Sequence, residues 1–145
     1  MNAGSTGAVD TSVAVPLLVA SHADHTRVLA WAKGRTLSLS GHALVETYAV
    51  LTRLPGDARL AAADATMLID ENFSEPLLLS AEGVRNAHRE LASRGVVGGA
   101  AYDGLVALAA REHSAVLATR DARARSTYEA LDVTVELIAM GGVDQ

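Results

Sequence analysis

Asp10, Glu46, Asp103 and Asp121 are the residues whose type and placement could do chemistry. Asp10 closes the short apolar run "GAVD" and is followed at once by two hydroxyls, in "VDTSV". Aspartate is a poor strand former and expensive to bury, so its position needs a physical reason. Asp121 stands two residues beyond the apolar run "AVLAT", in "LATRD". Glu46 falls in the opening turns of "HALVETYAVLTRLP", and Asp103 in those of "AAYDGLVALAAREH". Asp103 is aligned at i+3, i+4 and i+7 with Val106, Ala107 and Ala110, an apolar stripe that aims it at a core or a cleft. Taken singly, each acid has an ordinary role. Asp10 and Asp121 are suited to capping helices, Glu46 to a solvated helix face, and Asp103 to the positive end of a helix dipole. Gathered at one point, they would repel one another unless a cation neutralised them. Hard carboxylate oxygens suit Mg²⁺ or Mn²⁺, which keep several waters and bridge to phosphate oxygens. An acidic pocket of this kind meets a polyanion through the metal.

Bringing these acids together requires particular elements. Short apolar runs alternate with longer amphipathic ones, the pattern of an α/β protein. Strands are expected to end at "GAVD" (7–10) and to cover 35–41, 76–80, 115–119 and 133–138. Helices are expected over 12–21, 24–34, 42–55, 57–73, 81–95, 100–113 and 120–131, with Pro16 tolerable only near the first turn of its helix. Strands separated by helices pair in parallel through right-handed crossovers, and binding sites in such sheets gather at the carboxyl ends of the strands. If the first strand and "AVLAT" are neighbours, Asp10 and Asp121 stand at the same edge.

Composition narrows the alternatives. The 145 residues suit a single domain over 1–145 with a structured core over about 7–138. Half the residues are hydrophobic but only five are aromatic, so the core must be built from Ala, Val and Leu. With no cysteine, disulfides, zinc–thiolate sites and cysteine nucleophiles are excluded, which fits a reducing cytoplasm. "VAVPLLVA" (13–20) lacks the preceding basic residues of an export signal, and nothing approaches the roughly 18 apolar residues of a membrane span. The net charge of −5 argues against a generic basic nucleic-acid coat. Any contact with nucleic acid must be local or helped by cations.

"VDTSV" after a first strand, "ALVETYAVLTRLP" on a helix, "AAYDGLVALAAREH" on a later helix and "LATRD" after a strand together resemble the PIN-domain ribonucleases, and within them the VapC toxins of bacterial VapBC pairs. The resemblance runs from about Ala8 to Leu137, and its specificity lies in the set of four motifs. It implies a three-layer α/β/α sandwich with a central parallel sheet of about four to five strands. It also implies an Mg²⁺-dependent endoribonuclease, with Mn²⁺ able to substitute, whose metal-binding acids are Asp10, Glu46, Asp103 and Asp121. By the same resemblance Thr11 orients Asp10 and Thr119 orients Asp121. The implied partners are RNA, often tRNA or ribosomal RNA, and a cognate VapB-type antitoxin. The implied state is a cytoplasmic homodimer, forming a heterotetramer or larger assembly with the antitoxin. Two features depart from the family pattern. Pro16 interrupts what is usually an aliphatic helix, and "ARARS" after "TRD" lacks a second acid, implying one firmly held ion and a second only with substrate.

Other polar residues say less. His22, His25, His42, His88 and His113 are scattered, with no pairing at metal-ligand spacing. Arg120, Arg123 and Arg125 beside Asp121 suit either a solvated face or the guidance of phosphate, and Arg85, His88 and Arg89 could extend such a track. Two other classes of function compete. One is a phospho-acceptor signalling domain, which fits poorly because position 12 is Ser and Lys33 is the only lysine. The other is a catalytically inactive PIN-like binding module, against which the presence of all four acids argues.

Overall fold

The computed structural model describes residues 6–139. Strands β1 (Thr6–Val9), β2 (Thr36–Leu39), β3 (Leu117–Thr119) and β4 (Val135–Leu137) form a parallel sheet in the order β2-β1-β3-β4. Ala8, Val9, Leu117, Ala118 and Thr119 are buried, as expected of central strands covered on both faces. Ala8 lies opposite Leu117 and Val9 opposite Ala118. The chain therefore leaves β1 at Asp10 and β3 toward Asp121 from the same edge of the sheet.

Among the described residues, seven helices connect and cover the strands: α1 (Thr11–Leu18), α2 (His25–Ala32), α3 (Ala43–Leu51), α4 (Ala62–Asn72), α5 (Ala81–Ser93), α6 (Ala100–Glu112) and α7 (Ala122–Ala130). The step from β1 to β2 runs one way along the sheet, while those from β2 to β3 and from β3 to β4 run the other. Right-handed crossovers then place helices on both faces, giving the expected α/β/α sandwich. The core is aliphatic, drawn mainly from Ala, Val and Leu, with Tyr128 its largest fully buried side chain. Among the described residues, no helix is long and apolar enough to cross a membrane.

Three local expectations are corrected. Residues 76–80 do not form a strand; Leu77 makes a single parallel bridge to Ser40 beside β2. Pro76 has no N–H to extend a ladder, and Ser80 already turns away to cap α5 through its hydroxyl. The helix expected over 57–73 is divided into a short 3-10 turn, Gly56–Ala58, and α4. Pro16 lies in the last turn of α1 rather than near its start. Its missing N–H leaves the Ser12 carbonyl free, and Arg120 Nη1 donates to that oxygen at 3.1 Å.

Two glycines allow close packing of the helices that carry the acids. Gly41, at φ +53°, sits where a Cβ would stand 2.8 Å from the Leu105 carbonyl oxygen, so the entry to α3 lies directly on α6. Gly104 costs α6 about 1 kcal/mol relative to alanine. A Cβ there would run into Leu91 Cδ2 of α5.

Candidate active site

Four helices begin at the carboxyl edge of the sheet, and each brings one acid. Asp10 is the N-cap of α1, its side chain accepting from Ser12 N, and Asp121 is the N-cap of α7, accepting from Arg123 N. Glu46 lies in the first turn of α3 and Asp103 in that of α6. All four line one cleft of about 240 Å³, together with Thr11, Ser12, Val106, Ala124 and Tyr128. Capping and convergence are thus compatible: the same placement that caps two helices aims their carboxylates at a common space. The positive ends of the helix dipoles offset part of the crowded negative charge.

Asp10 is the most constrained of the set, buried with 4% exposure. Ser12 donates to its Oδ1 twice, from N at 3.0 Å and from Oγ at 2.6 Å, and the Tyr128 hydroxyl donates to Oδ2 at 2.7 Å. Burial and the neighbouring charge of Asp10 push the Tyr128 hydroxyl far above its ordinary pKa, which keeps it a donor. Asp103 is also held above the ordinary carboxylate range. Burial is the first cause, followed by the charges of Glu46, Asp10 and Asp121, with His42 acting in the opposite direction. Asp103 therefore feels the other three acids as one like-charged group.

That repulsion is what a cation would relieve, and the donor set, all carboxylate oxygen, fits Mg²⁺ or Mn²⁺. Among the described residues, no three His, Asp or Glu side chains already close on one point as a finished ion cage.

The supporting residues are distributed differently from the sequence expectation. Thr11 lines the cleft, but its hydroxyl accepts from the buried Thr47 at 3.3 Å instead of holding Asp10. Ser12 and Tyr128 hold Asp10, and neither was anticipated for that work. The available signal for Tyr128 was its place seven and four residues past Asp121 and Ala124 on the stripe of α7 that turns inward, where a polar hydroxyl needs a partner. Thr119 does serve Asp121, its Oγ1 accepting from Asp121 N at 3.1 Å.

Of the arginines beside the cleft, Arg120 is committed internally. Its guanidinium is buried, paired with Asp24 and bonded to the Ser12 carbonyl, so it has no fork free for phosphate. Arg125 pairs with Glu129 at 3.0 Å. Arg123 is 95% exposed, with Nε 3.6 Å from Asp121 Oδ1, and is the most open of the three. Arg85, His88 and Arg89 are exposed on α5 and do not line the cleft.

The sequence matches the PIN domain family over residues 8–130. The chain belongs to the PIN-domain family. Ribonuclease VapC27 of Mycobacterium tuberculosis is 58% identical over 132 residues, covering 91% of this chain and 96% of the relative. At that identity and coverage the chain falls among the VapC-type members of the family. Among solved structures, VapBC2 from Rickettsia felis, bound to a DNA fragment from its promoter, superposes with a TM-score of 0.63 at 16% identity, covering 91% of this chain and 98% of that one. VapC20 of Mycobacterium tuberculosis, a sarcin-ricin loop cleaving toxin, superposes with a TM-score of 0.63 at 21% identity, covering 84% and 94%. At these identities the two structures speak for the fold, and they agree with the parallel-sheet sandwich described above.

Proposed function

We propose that this VapC-type chain is an Mg²⁺- or Mn²⁺-dependent endoribonuclease, the toxin of a type II toxin–antitoxin pair, acting in the cytoplasm on tRNA or ribosomal RNA. The observation that carries the reading is the convergence of Asp10, Glu46, Asp103 and Asp121, from four separate helix starts, on one cleft. The identity to a named ribonuclease supports RNA as the substrate, and the likeness to a VapBC assembly supports a VapB-type antitoxin as partner; its silencing of a homodimer in a heterotetramer or larger complex is part of the same proposal.

Asp10, Glu46, Asp103 and Asp121 would hold the cation between them. When bound, it supplies positive charge to the phosphodiester and makes water acidic enough to attack at neutral pH. The chain's own contribution is orientation. Ser12 donates twice to one Asp10 oxygen and Tyr128 once to the other, which fixes the plane of the carboxylate. Thr119 and the α7 N-terminus set Asp121 beside it, and Arg123 offers a guanidinium at the rim to a phosphate oxygen. In the reaction water adds to phosphorus, one P–O bond of the backbone breaks, and the departing oxygen takes a proton.

The test is cleavage of labelled RNA with and without Mg²⁺, alongside induced expression in a permissive host. The wild type is expected to cut RNA only with the metal and to arrest growth. Asp10→Asn should lose cleavage on the order of 10³-fold, several kcal/mol of barrier at about 1.4 kcal/mol per tenfold, and should relieve the arrest. Co-expression of the adjacent reading frame's product should do the same for the wild type. A folded Asp10→Asn variant that cuts RNA and arrests growth as the wild type does overturns the reading.

A further inference from the structure

Tyr102 stands out once the core is accounted for. Of the five aromatic residues, Tyr128 is fully buried, and Trp31, Tyr48 and Phe73 pack half-buried against the core. Tyr102 alone is exposed, at 58%. It immediately precedes Asp103 on α6, and its ring stacks on His42 with centroids 5.0 Å apart and planes inclined by 30°. His42 is the residue at the start of α3, one turn before Glu46. The two rings therefore bridge the joint at Gly41 where the helix carrying Glu46 lies on the helix carrying Asp103. His42 is also close enough to Asp103 for its charge to oppose that of the acids.

We propose that Tyr102, backed by His42, is a stacking platform at the edge of the acid cleft that takes an unpaired base of single-stranded RNA. This rests on RNA being the substrate, as proposed above, and adds how the strand is gripped. The charge balance makes such a grip necessary. The chain carries a net charge of −5, Arg120 is spent on Asp24, and Arg125 is paired with Glu129, so of these three arginines Arg123 alone is left for phosphate at this edge. Stacking draws on no net charge and tolerates any base, because every base has a π-face. His42 holds one face of the tyrosine ring and so limits its rotamers in advance, which lowers the ordering cost of binding. A base inside a duplex cannot reach such a surface, so the ligand is a single strand or a loop.

The experiment measures KM and kcat, with Mn²⁺ present, on a fluorescent single-stranded RNA of mixed sequence that the wild type cuts. It compares wild type, Tyr102→Ala and Tyr102→Phe, and repeats the set on versions of the RNA that each lack one base. Alanine is the best helix former, so α6 should persist, and melting curves check it. The expected result is a rise in KM of about tenfold in Tyr102→Ala, with kcat and melting temperature little changed and Tyr102→Phe close to wild type. One abasic position should weaken the wild type and cost Tyr102→Ala nothing further, the non-additivity of two groups in contact. An unchanged KM in Tyr102→Ala, or the same abasic losses in both proteins, overturns the proposal. So does a Tyr102→Ala variant whose only defect is in antitoxin binding or self-association. A wild type that cuts no RNA overturns the functional reading itself and this inference with it, whereas a wild type that cuts and a Tyr102→Ala variant with unchanged KM overturn this inference alone.

Discussion

At its N-terminal end α6 carries Asp103 into a cleft lined by three other carboxylates, and about two turns further on the same helix carries Arg111 into a matched partner. Arg111 Nη1 and Nη2 meet the two Glu90 oxygens at 2.6 and 2.7 Å, and Nη1 also donates to the Leu131 carbonyl. Close by, Arg94 bonds the Ala130 carbonyl and Asp132. The Arg111 hydrogen bond holds the Glu90 carboxyl below its ordinary range, against the opposing effect of burial. At the other end burial and like charge hold Asp103 above its range. One end of the helix compensates its charges and adds stability. The other leaves them uncompensated, which costs stability and, on the function proposed above, is the charge a cation would relieve.

The largest effect that would sharpen this contrast is expected from Tyr128→Phe. It removes one hydrogen bond from Asp10 Oδ2 and almost no volume. Loss of such a supporting partner typically lowers metal affinity or activity by about 10–100-fold. Metal-free stability should fall by only about 1 kcal/mol. RNA cleavage and Mn²⁺ affinity at wild-type levels would show that the tyrosine is merely packing.

Next comes Arg111→Ala, which should lower stability by about 1–2 kcal/mol at pH 7, the pair being discounted for its partial exposure. Cleavage per folded molecule should be unchanged. Because the folded Glu90 carboxyl is depressed, its contribution is present above the ordinary glutamate range and lost as pH falls through its folded value. Urea melts of the two proteins should therefore converge in acid. The smallest effect, and of opposite sign, is expected from Asp103→Asn without metal. A raised carboxyl favours the protonated fold, so the penalty is absent below the ordinary aspartate range and develops as pH rises through the folded value. The variant should be the more stable protein at pH 7, and its advantage should vanish in acid. An advantage independent of pH would mean that the gain has nothing to do with charge.

Asp10, Asp103 and Asp121 drew notice because a carboxylate after an apolar run, or on the apolar stripe of a helix, breaks a local rule, whereas Glu46 reads alone as a solvated helix residue and was singled out only with the set of four motifs. The alternation of strands and helices, and hence the parallel sheet, was legible from periodicity. What could not be read was the partnering of groups far apart in the chain. Tyr128 reaches Asp10 across 118 positions, and nothing local to either distinguishes that bond from a cap or a core tyrosine. Arg120 looked like part of a phosphate track because its neighbours are arginines. Its actual partners, Asp24 and the carbonyl that Pro16 leaves free, come together only when α1 and α2 pack. The apolar "PLLLS" imitated a strand because hydrophobicity records burial and not hydrogen bonding.

On the function proposed above, Asp10, Glu46, Asp103 and Asp121 form one cation site and not four separate caps and surface acids. Thermal melts over a series of Mn²⁺ concentrations test it most directly, on the wild type and on Asp10→Ala, Glu46→Gln, Asp103→Asn and Asp121→Asn. The wild-type melting temperature should climb with metal, reflecting about 2.7 kcal/mol at a hundredfold excess over the dissociation constant, because only the folded arrangement binds. Each of the four variants should show a smaller climb, whatever its metal-free stability. Four variants that respond to Mn²⁺ as fully as the wild type would contradict the shared site.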